Sequence, residues 1–309
     1  MRKKVSIIGA GNIGASTAQF IASEGIADVV LYDIIEGVPQ GKALDIAEAC
    51  PLWNSSVSVK GTNSFEETAG SDVLVVAAGF PRKPGMSRDD LLQANAEVVM
   101  HVVTHASQRS PKSIIIVVTN PMDVMAQLAW RVSGFDLKRV VGMGGILDST
   151  RFRTFISIEL GISCSDIEAL VLGGHGDFMV PMPRFTTVKG IPLTEILPDQ
   201  TIHGIIHRTR HGGAEIVHLL KTGSAYYAPA AATFQMIKAI LFDEKRILPC
   251  AAYLSGQYGV HDVFVGVPVQ LGASGIDKVI ELELNEEERR DFKKSVEAVK
   301  VLLQKIQIA

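Results

Sequence analysis

The sequence predicts an α/β protein: a doubly wound parallel sheet followed by an α+β unit. Three observations predict it. Short β-branched runs recur at helix-bearing intervals through the first half, as in a parallel sheet buried on both faces. The first run opens directly into a glycine-rich turn and a helix. Near residues 142 to 146 the glycine density rises, and the alternation gives way to a longer, less regular second half. The boundary is set there, with a cofactor unit at 1–144 and a substrate and catalytic unit at 145–309.

Val5-Ser6-Ile7-Ile8 is the first expected strand, Gly9-Ala10-Gly11-Asn12-Ile13-Gly14 the turn, and Ala18, Ile21 and Ala22 continue at helical spacing. In this Gly-x-Gly-x-x-Gly the first glycine permits the tight turn and the second lets a pyrophosphate approach the backbone. The third allows close packing of helix on strand. The helix N-terminus then faces the phosphates. Asp33 stands 19 residues beyond Gly14, after the second run Val29-Val30-Leu31-Tyr32. An acid there binds the adenosine ribose diol and favours NAD over NADP. Motif, context and acid together predict a Rossmann unit with Gly9, Gly11, Asn12, Ile13, Gly14 and Asp33 at the cofactor.

Further strands are expected at Val57-Ser58-Val59, 72–77, 114–118 and Val140-Val141. The fourth strand is followed by Gly79-Phe80-Pro81-Arg82-Lys83-Pro84-Gly85-Met86-Ser87-Arg88, and Ser87 with Asp90 starts a helix carried on by Leu91, Asn95, Val98, Val102 and Ala106. Ligands bind at the carboxyl ends of such strands, which argues for a binding loop over a merely solvated one. His101 and His105 stand four apart in that helix. The metalloprotease pattern needs a glutamate where Val102 stands, so no metal site is expected. Asn120-Pro121 closes the fifth strand, as a ligand-edge polar group or a turn residue.

At 309 residues the chain exceeds the ~250–300 at which single cores stop growing. Hydrophobic residues are 47% and charged residues 20%, which leaves no segment that must stay disordered. A net charge of -3 with dispersed cations gives no footprint for nucleic acid or an anionic membrane. Cys50, Cys164 and Cys250 form no disulfide framework or thiolate metal motif. No apolar stretch reaches the ~18–20 residues of a membrane span, and the short run after Met1-Arg2-Lys3-Lys4 enters the glycine turn rather than a signal-peptide pattern. A soluble, cytoplasmic protein working on small molecules is expected.

In the second half, Asp148 and Arg151 share a helical face, either as a surface ion pair or as part of a site. The apolar run from Ile167 to Leu172 ends in Gly173-Gly174-His175-Gly176-Asp177. A histidine held between small residues at a strand end can present its ring to a cleft and exchange protons near neutral pH. Taken alone, the same segment is an ordinary tight turn.

The glycine fingerprint, Asp33, the Pro-Arg-Lys-Pro-Gly-Met-Ser-Arg loop, Asn120-Pro121, Leu147-Asp148-x-x-Arg151 and Gly-Gly-His-Gly-Asp stand in the order seen in malate and lactate dehydrogenases. The resemblance spans essentially the whole chain. The Gly-His-Gly-Asp form and the segment from Lys221 to Tyr227 are most similar to the bacterial branch in which malate dehydrogenases resemble lactate dehydrogenase.

That resemblance implies roles. His175 protonates the carbonyl oxygen of a 2-oxo acid, or takes the hydroxyl proton in reverse, and Asp148 holds its tautomer. Arg151 grips the C1 carboxylate with a planar guanidinium fork. Asn120 donates to the substrate oxygen, Arg88 polarises the carbonyl once its loop closes, and Ser224 lines the nicotinamide end of the pocket. Ala78, Gly79, Asn95 and Thr119, with Asn120, join the cofactor contacts. Arg82 matches the arginine that pairs with the second carboxylate of malate or oxaloacetate, so a dicarboxylate is expected over lactate. A homo-oligomer, tetramer or dimer, is implied. Lactate dehydrogenase is the competing reading, and a dinucleotide-sensing protein without catalysis the distant one.

Two features depart from the family pattern: Phe80 is large for its place, and Gly144-Gly145 is unusually bare. His203, His207 and His211 recur every four residues, with His218 seven further on, as a solvated or subunit-facing stripe. Residues 285–306 read as an amphipathic helix assigned to packing, not chemistry.

Overall fold

The computed structural model describes residues 2–80 and 88–306, with the side chain of Arg88 excepted. Arg82, Ser87 and the Arg88 side chain therefore lie outside the described residues, as does most of the loop they belong to. Among the described residues no helix is long and apolar enough to cross a membrane.

The first half runs β1 (Lys4–Ile8), α1 (Asn12–Ser23), β2 (Asp28–Tyr32), α2 (Val38–Ala49), β3 (Val59–Thr62), β4 (Val73–Val76), α3 (Arg88–Arg109), β5 (Ile114–Val117), α4 (Met122–Ser133) and β6 (Val140–Gly142). The six strands pair in parallel in the order β3-β2-β1-β4-β5-β6. β4 and β5 are buried at every position, as strands covered by helices on both faces must be. The third strand begins at Val59, which pairs with Val29, rather than at Val57. Val57 turns instead into a small cluster with Ala22 and Cys50.

The second half continues with α5 (Gly144–Leu160), β7 (Ile167–Glu168), β8 (Val171–Leu172), β9 (Val180–Pro181), β10 (Thr187–Val188), β11 (Ile191–Pro192), α6 (Leu193–Ile196), α7 (Asp199–Leu220), α8 (Tyr227–Leu241), β12 (Arg246–Ser255), β13 (His261–Gly272), β14 (Gly275–Val279) and α9 (Glu286–Gln304). β12 joins β6 antiparallel, and β13 and β14 follow, so the described residues build one continuous nine-stranded sheet. One large core lies on both faces of this sheet. A smaller core of Phe152, Ile156, Ile167, Met179, Ile202 and Ile205 holds α5, α7 and the short strands together.

The run from Ile167 to Leu172 is not one strand. β7 pairs with β10 and β8 with β9, because the intervening backbone bonds elsewhere: Leu170 N–H to Thr186 Oγ1 at 3.3 Å, and Val171 N–H to Ser149 Oγ at 2.9 Å. The terminal helix starts one residue later than expected. Asn285 is its N-cap, in a capping box with Glu288.

Candidate active site

Gly173 and Gly174 lead the chain from β8 to His175, and three elements pin that turn. Gly173 exchanges backbone hydrogen bonds with Gly266 of β13 at 2.9 and 3.0 Å. A Cβ at Gly266 would block the approach, lying 2.6 Å from the Gly173 carbonyl oxygen, and one at Gly173 would collide with Ser295 Oγ at 2.5 Å. Ser295 of α9 accepts from Gly174 N–H at 2.8 Å, and Asp123 of α4 accepts from His175 N–H at 2.7 Å. A backbone held at three successive residues leaves the ring little freedom to wander.

The ring itself is fixed by Asp148. Nδ1 and Asp148 Oδ2 are 2.8 Å apart, and because a carboxylate only accepts, Nδ1 carries the hydrogen. That leaves Nε2 as the nitrogen available for proton exchange. Asp148 is 3% exposed and the His175 side chain 13%. Burial disfavours the imidazolium, but the charge and hydrogen bond of Asp148, offset somewhat by Arg151 and reinforced by Asp123, raise the ring above its ordinary value.

Arg151 lies one turn along α5 from Asp148, with Nη1 3.5 Å from Asp148 Oδ1. It is not a surface pair, because the guanidinium is largely buried and its Nε has no hydrogen-bond partner among the described residues. α7 covers it through Gly212 and Gly213, where a Cβ would come within 3.4 Å of Arg151 Cδ and 3.5 Å of Nη2. Desolvation lowers its proton affinity, with Asp148 opposing. A desolvated cation with an unused donor beside such a histidine suits a carboxylate ligand.

The bareness at Gly144-Gly145 has a steric cause. A Cβ at Gly144 would lie 2.6 Å from His175 Cβ, and one at Gly145 would lie 2.7 Å from the Pro249 carbonyl oxygen. These glycines let the start of α5 slide between the histidine and β12.

Along the same carboxyl edge of the parallel strands, after β1, the first glycine of the turn, Gly9, has φ +114°, and a Cβ there would lie 2.5 Å from Ala78 N. A Cβ on Gly14 would overlap the Gly9 carbonyl oxygen, so α1 sits directly on the turn. Gly11 caps α1 without a side-chain acceptor, and a Cβ on it would meet nothing within 4 Å. The first-turn N–H groups are thus left for a phosphate that can approach unhindered. Asn12 and Ile13 open that helix. Asp33 follows β2, its Oδ2 accepting from Ala10 N–H at 2.8 Å and its Oδ1 from Ile35 N–H at 3.1 Å. Lys42, which sequence reading missed, donates Nζ to the Ala10 carbonyl at 2.7 Å, so the glycine turn is clamped from both sides. The cradle fits a dinucleotide.

Between the glycine turn and the histidine turn, Asn95 is buried beneath the strand edge. Its Oδ1 accepts from Phe80 N–H at 2.7 Å, and its Nδ2 donates to the Asn120 carbonyl at 2.8 Å. It ties the large Phe80, at the loop entrance, to the Asn120-Pro121 segment, whose peptide is cis. Thr119 Oγ1 donates to the Ala78 carbonyl at 2.7 Å, and its methyl leaves no room for a Cβ at Gly79. Asn120 is exposed at the edge, and Ser224 is exposed in the connection between α7 and α8.

Two acids and a hydroxyl therefore organise His175, and only Asp148 was singled out from sequence. Asp123 is 4% exposed and fully desolvated, which pushes its carboxyl up to about 7 against the pull of His175. Its signal was its position, two residues after Asn120-Pro121. Ser295 had none, lying 121 residues from the glycine it holds. Elsewhere, His101 and His105 pack against Phe65 at centroid distances of 6.0 and 5.2 Å. His207 and His211 stack on each other on the exposed side of α7.

Comparison with known proteins covers both halves. Residues 3–142 match the family description "lactate/malate dehydrogenase, NAD binding domain", and residues 146–308 match its "alpha/beta C-terminal domain". A malate dehydrogenase of Roseiflexus sp. (strain RS-1) is 56% identical over 299 residues, 97% of each chain. One of Thermomicrobium roseum is 55% identical over 98% of each. Among solved structures, the malate dehydrogenase of Cryptosporidium parvum superposes with TM-score 0.96 at 46% identity, over 98% of each chain. A lactate dehydrogenase of the same organism, complexed with lactic acid and NAD, gives 0.96 at 40% over 98% of each. The chain belongs to the lactate/malate dehydrogenase family of NAD-dependent oxidoreductases.

Proposed function

We propose that the protein is an NAD-dependent malate dehydrogenase, interconverting (S)-malate and oxaloacetate with His175 as general acid and base. The observation that carries the catalytic assignment is the 2.8 Å bond from His175 Nδ1 to buried Asp148, with the Arg151 guanidinium alongside. Residues 1–144 bind the cofactor and 145–309 supply the catalytic groups. Asp33 and the Gly9–Gly14 turn hold NAD, which supplies the hydride acceptor when bound.

In reduction, His175 gives its Nε2 proton to the carbonyl oxygen, and in oxidation it takes the hydroxyl proton of malate. Asp148 keeps the hydrogen on Nδ1 and supports the imidazolium. Arg151 holds the C1 carboxylate, fixing which face of C2 meets the nicotinamide. Asn120 donates to the substrate oxygen, Arg88 polarises it, and Ser224 borders the nicotinamide end of the pocket.

Support for a dicarboxylate comes from Arg82 in the sequence and from the names of relatives 55% and 56% identical to the chain. Arg82 pairs with the second carboxylate. Facing pyruvate it would lack that partner, and an unpaired desolvated charge costs several kcal/mol. NADH oxidation by oxaloacetate is expected to exceed that by pyruvate at least ~10³-fold in kcat/KM, and Arg82→Gln to erase most of the difference. A native preference for pyruvate would favour a lactate dehydrogenase, and NADH binding without oxidation of either acid would favour a sensor. We place the enzyme in the cytoplasm as a homotetramer, with a dimer the alternative.

A further inference from the structure

The mechanism above gives Asp123 no task, yet its carboxylate touches His175. It enters in the first turn of α4, and Oδ2 accepts the His175 N–H at 2.7 Å. Oδ1 is buried with no hydrogen-bond partner among the described residues. As an acceptor for one backbone N–H this is an expensive choice, since an unpartnered carboxylate oxygen is lost to water for nothing. The adjacent N–H of the same turn, that of Gly174, is served by a neutral hydroxyl, Ser295 Oγ, at 2.8 Å. What a carboxylate adds over a hydroxyl is charge.

The charges around the ring can be counted from each packed element. α5 contributes Asp148 and Arg151, which oppose one another at 3.5 Å; α4 contributes Asp123. At the points where they meet the turn, α9 offers uncharged Ser295 and β13 the glycine backbone at Gly266. With Asp148 and Arg151 balanced, an ionised Asp123 has, among the described residues, the imidazolium as its counter-charge, and when the ring is neutral these residues offer it none. The two groups therefore titrate as a pair.

We propose that Asp123 is a positioning residue for proton transfer, anchoring the His175 main chain through Oδ2 and supporting the imidazolium with its charge. Burial holds the Asp123 carboxyl up at about 7 even against the downward pull of the charged ring, so the acid has every reason to keep its proton when the ring is neutral. The same residue joins the substrate-edge segment Asn120-Pro121, three and two positions before it, to the histidine turn. The inference rests on His175 being the proton-exchanging group.

The test is the pH profile of kcat/KM for oxaloacetate reduction by the intact NADH-bound enzyme, in Asp123→Asn, Asp123→Ala and His175→Asn. Asp123→Asn keeps an acceptor for His175 N–H but removes the charge. Its activity at low pH is expected to stay within about threefold of native, while the alkaline fall moves at least about half a pH unit lower. The rise in malate oxidation should move in the same direction. Asp123→Ala loses the anchor as well, and kcat is expected to fall at least about tenfold at every pH with NADH affinity within about twofold. A native pH profile in Asp123→Asn overturns the proposal. If that variant does not fold, ring resonances of His175 in the native protein decide: two titration steps are expected, and a single step overturns it. Activity retained in His175→Asn would remove the reading of His175 itself. An inactive His175→Asn beside an unaltered Asp123→Asn removes only the role of Asp123.

Discussion

Adding one methyl group at Gly144 probes how tightly the histidine is held. Its Cβ would sit 2.6 Å from His175 Cβ, 2.8 Å from His175 Cγ and 2.6 Å from Met122 Cε. Carbon atoms rest at about 3.5–4.0 Å, so each neighbour must retreat by about 1 Å. Met122 can do so by changing rotamer. His175 cannot without loss, because its backbone is tied to Asp123 and its neighbours to Ser295 and Gly266. A 1 Å retreat would take the 2.8 Å Nδ1–Oδ2 contact out to roughly 3.8 Å, beyond hydrogen-bonding range. A charge-assisted hydrogen bond contributes about 1.5–3 kcal/mol, which predicts a fall in kcat of about 10- to 150-fold for Gly144→Ala. Overpacking costs about 1–3 kcal/mol of stability, offset in part by about 0.5–1 kcal/mol for replacing a helical glycine by alanine. Steady-state oxaloacetate reduction, NADH titration by fluorescence and thermal unfolding would separate these effects. Native kcat with a native pH profile would refute the claim that α5 is packed directly against the ring.

Two further outcomes follow from the buried charges. Arg151→Lys replaces a planar fork by a point charge where Nε is buried without a hydrogen-bond partner among the described residues; KM for oxaloacetate should rise about 10- to 100-fold with a smaller effect on kcat, and a KM within about twofold of native would count against the clamp. Stability should carry the mark of Asp123 and His175, both of which hold a proton more tightly folded than unfolded. For Asp123 the native state binds more protons from the ordinary 3.8 up to about 7, so its contribution declines as pH rises through that window. For His175 the contribution is complete below the ordinary 6.5 and is lost as pH rises through its raised folded value. The Tm of cofactor-free Asp123→Asn minus that of the native protein should therefore grow from about pH 5 to about pH 8; parallel melting curves at all pH values would contradict it.

The parts of this protein that were legible in its sequence are those written in local pattern. β4 and β5 announce themselves as unbroken apolar runs because both faces of a parallel sheet are covered, and the Gly9–Gly14 turn because its conformational and steric demands admit few other residues. Asp148 and Arg151 were identifiable as a pair because three residues make nearly a helical turn, and His175 because small residues isolate it. Resemblance to a known family then ordered these fragments into a site.

What remained hidden were partners rather than elements. Nothing near Ser295 says that its hydroxyl will hold Gly174, and the amphipathic pattern of α9 records a buried face without saying what lies beneath it. Lys42 reads as one more helix cation until its ammonium is seen on the Ala10 carbonyl. Gly144 looked merely bare, and Asp123 an ordinary first-turn acid, until the sheet brought α4, α5, α9 and β13 around one turn. The sequence by itself determined the sheet's parallel half and the glycine turn, and singled out His175 as the candidate for proton exchange. The tertiary structure alone decided how that histidine is held and which charges surround it. Periodicity along a chain encodes which side of an element is buried, whereas a contact spanning tens of residues exists only after the layers have packed.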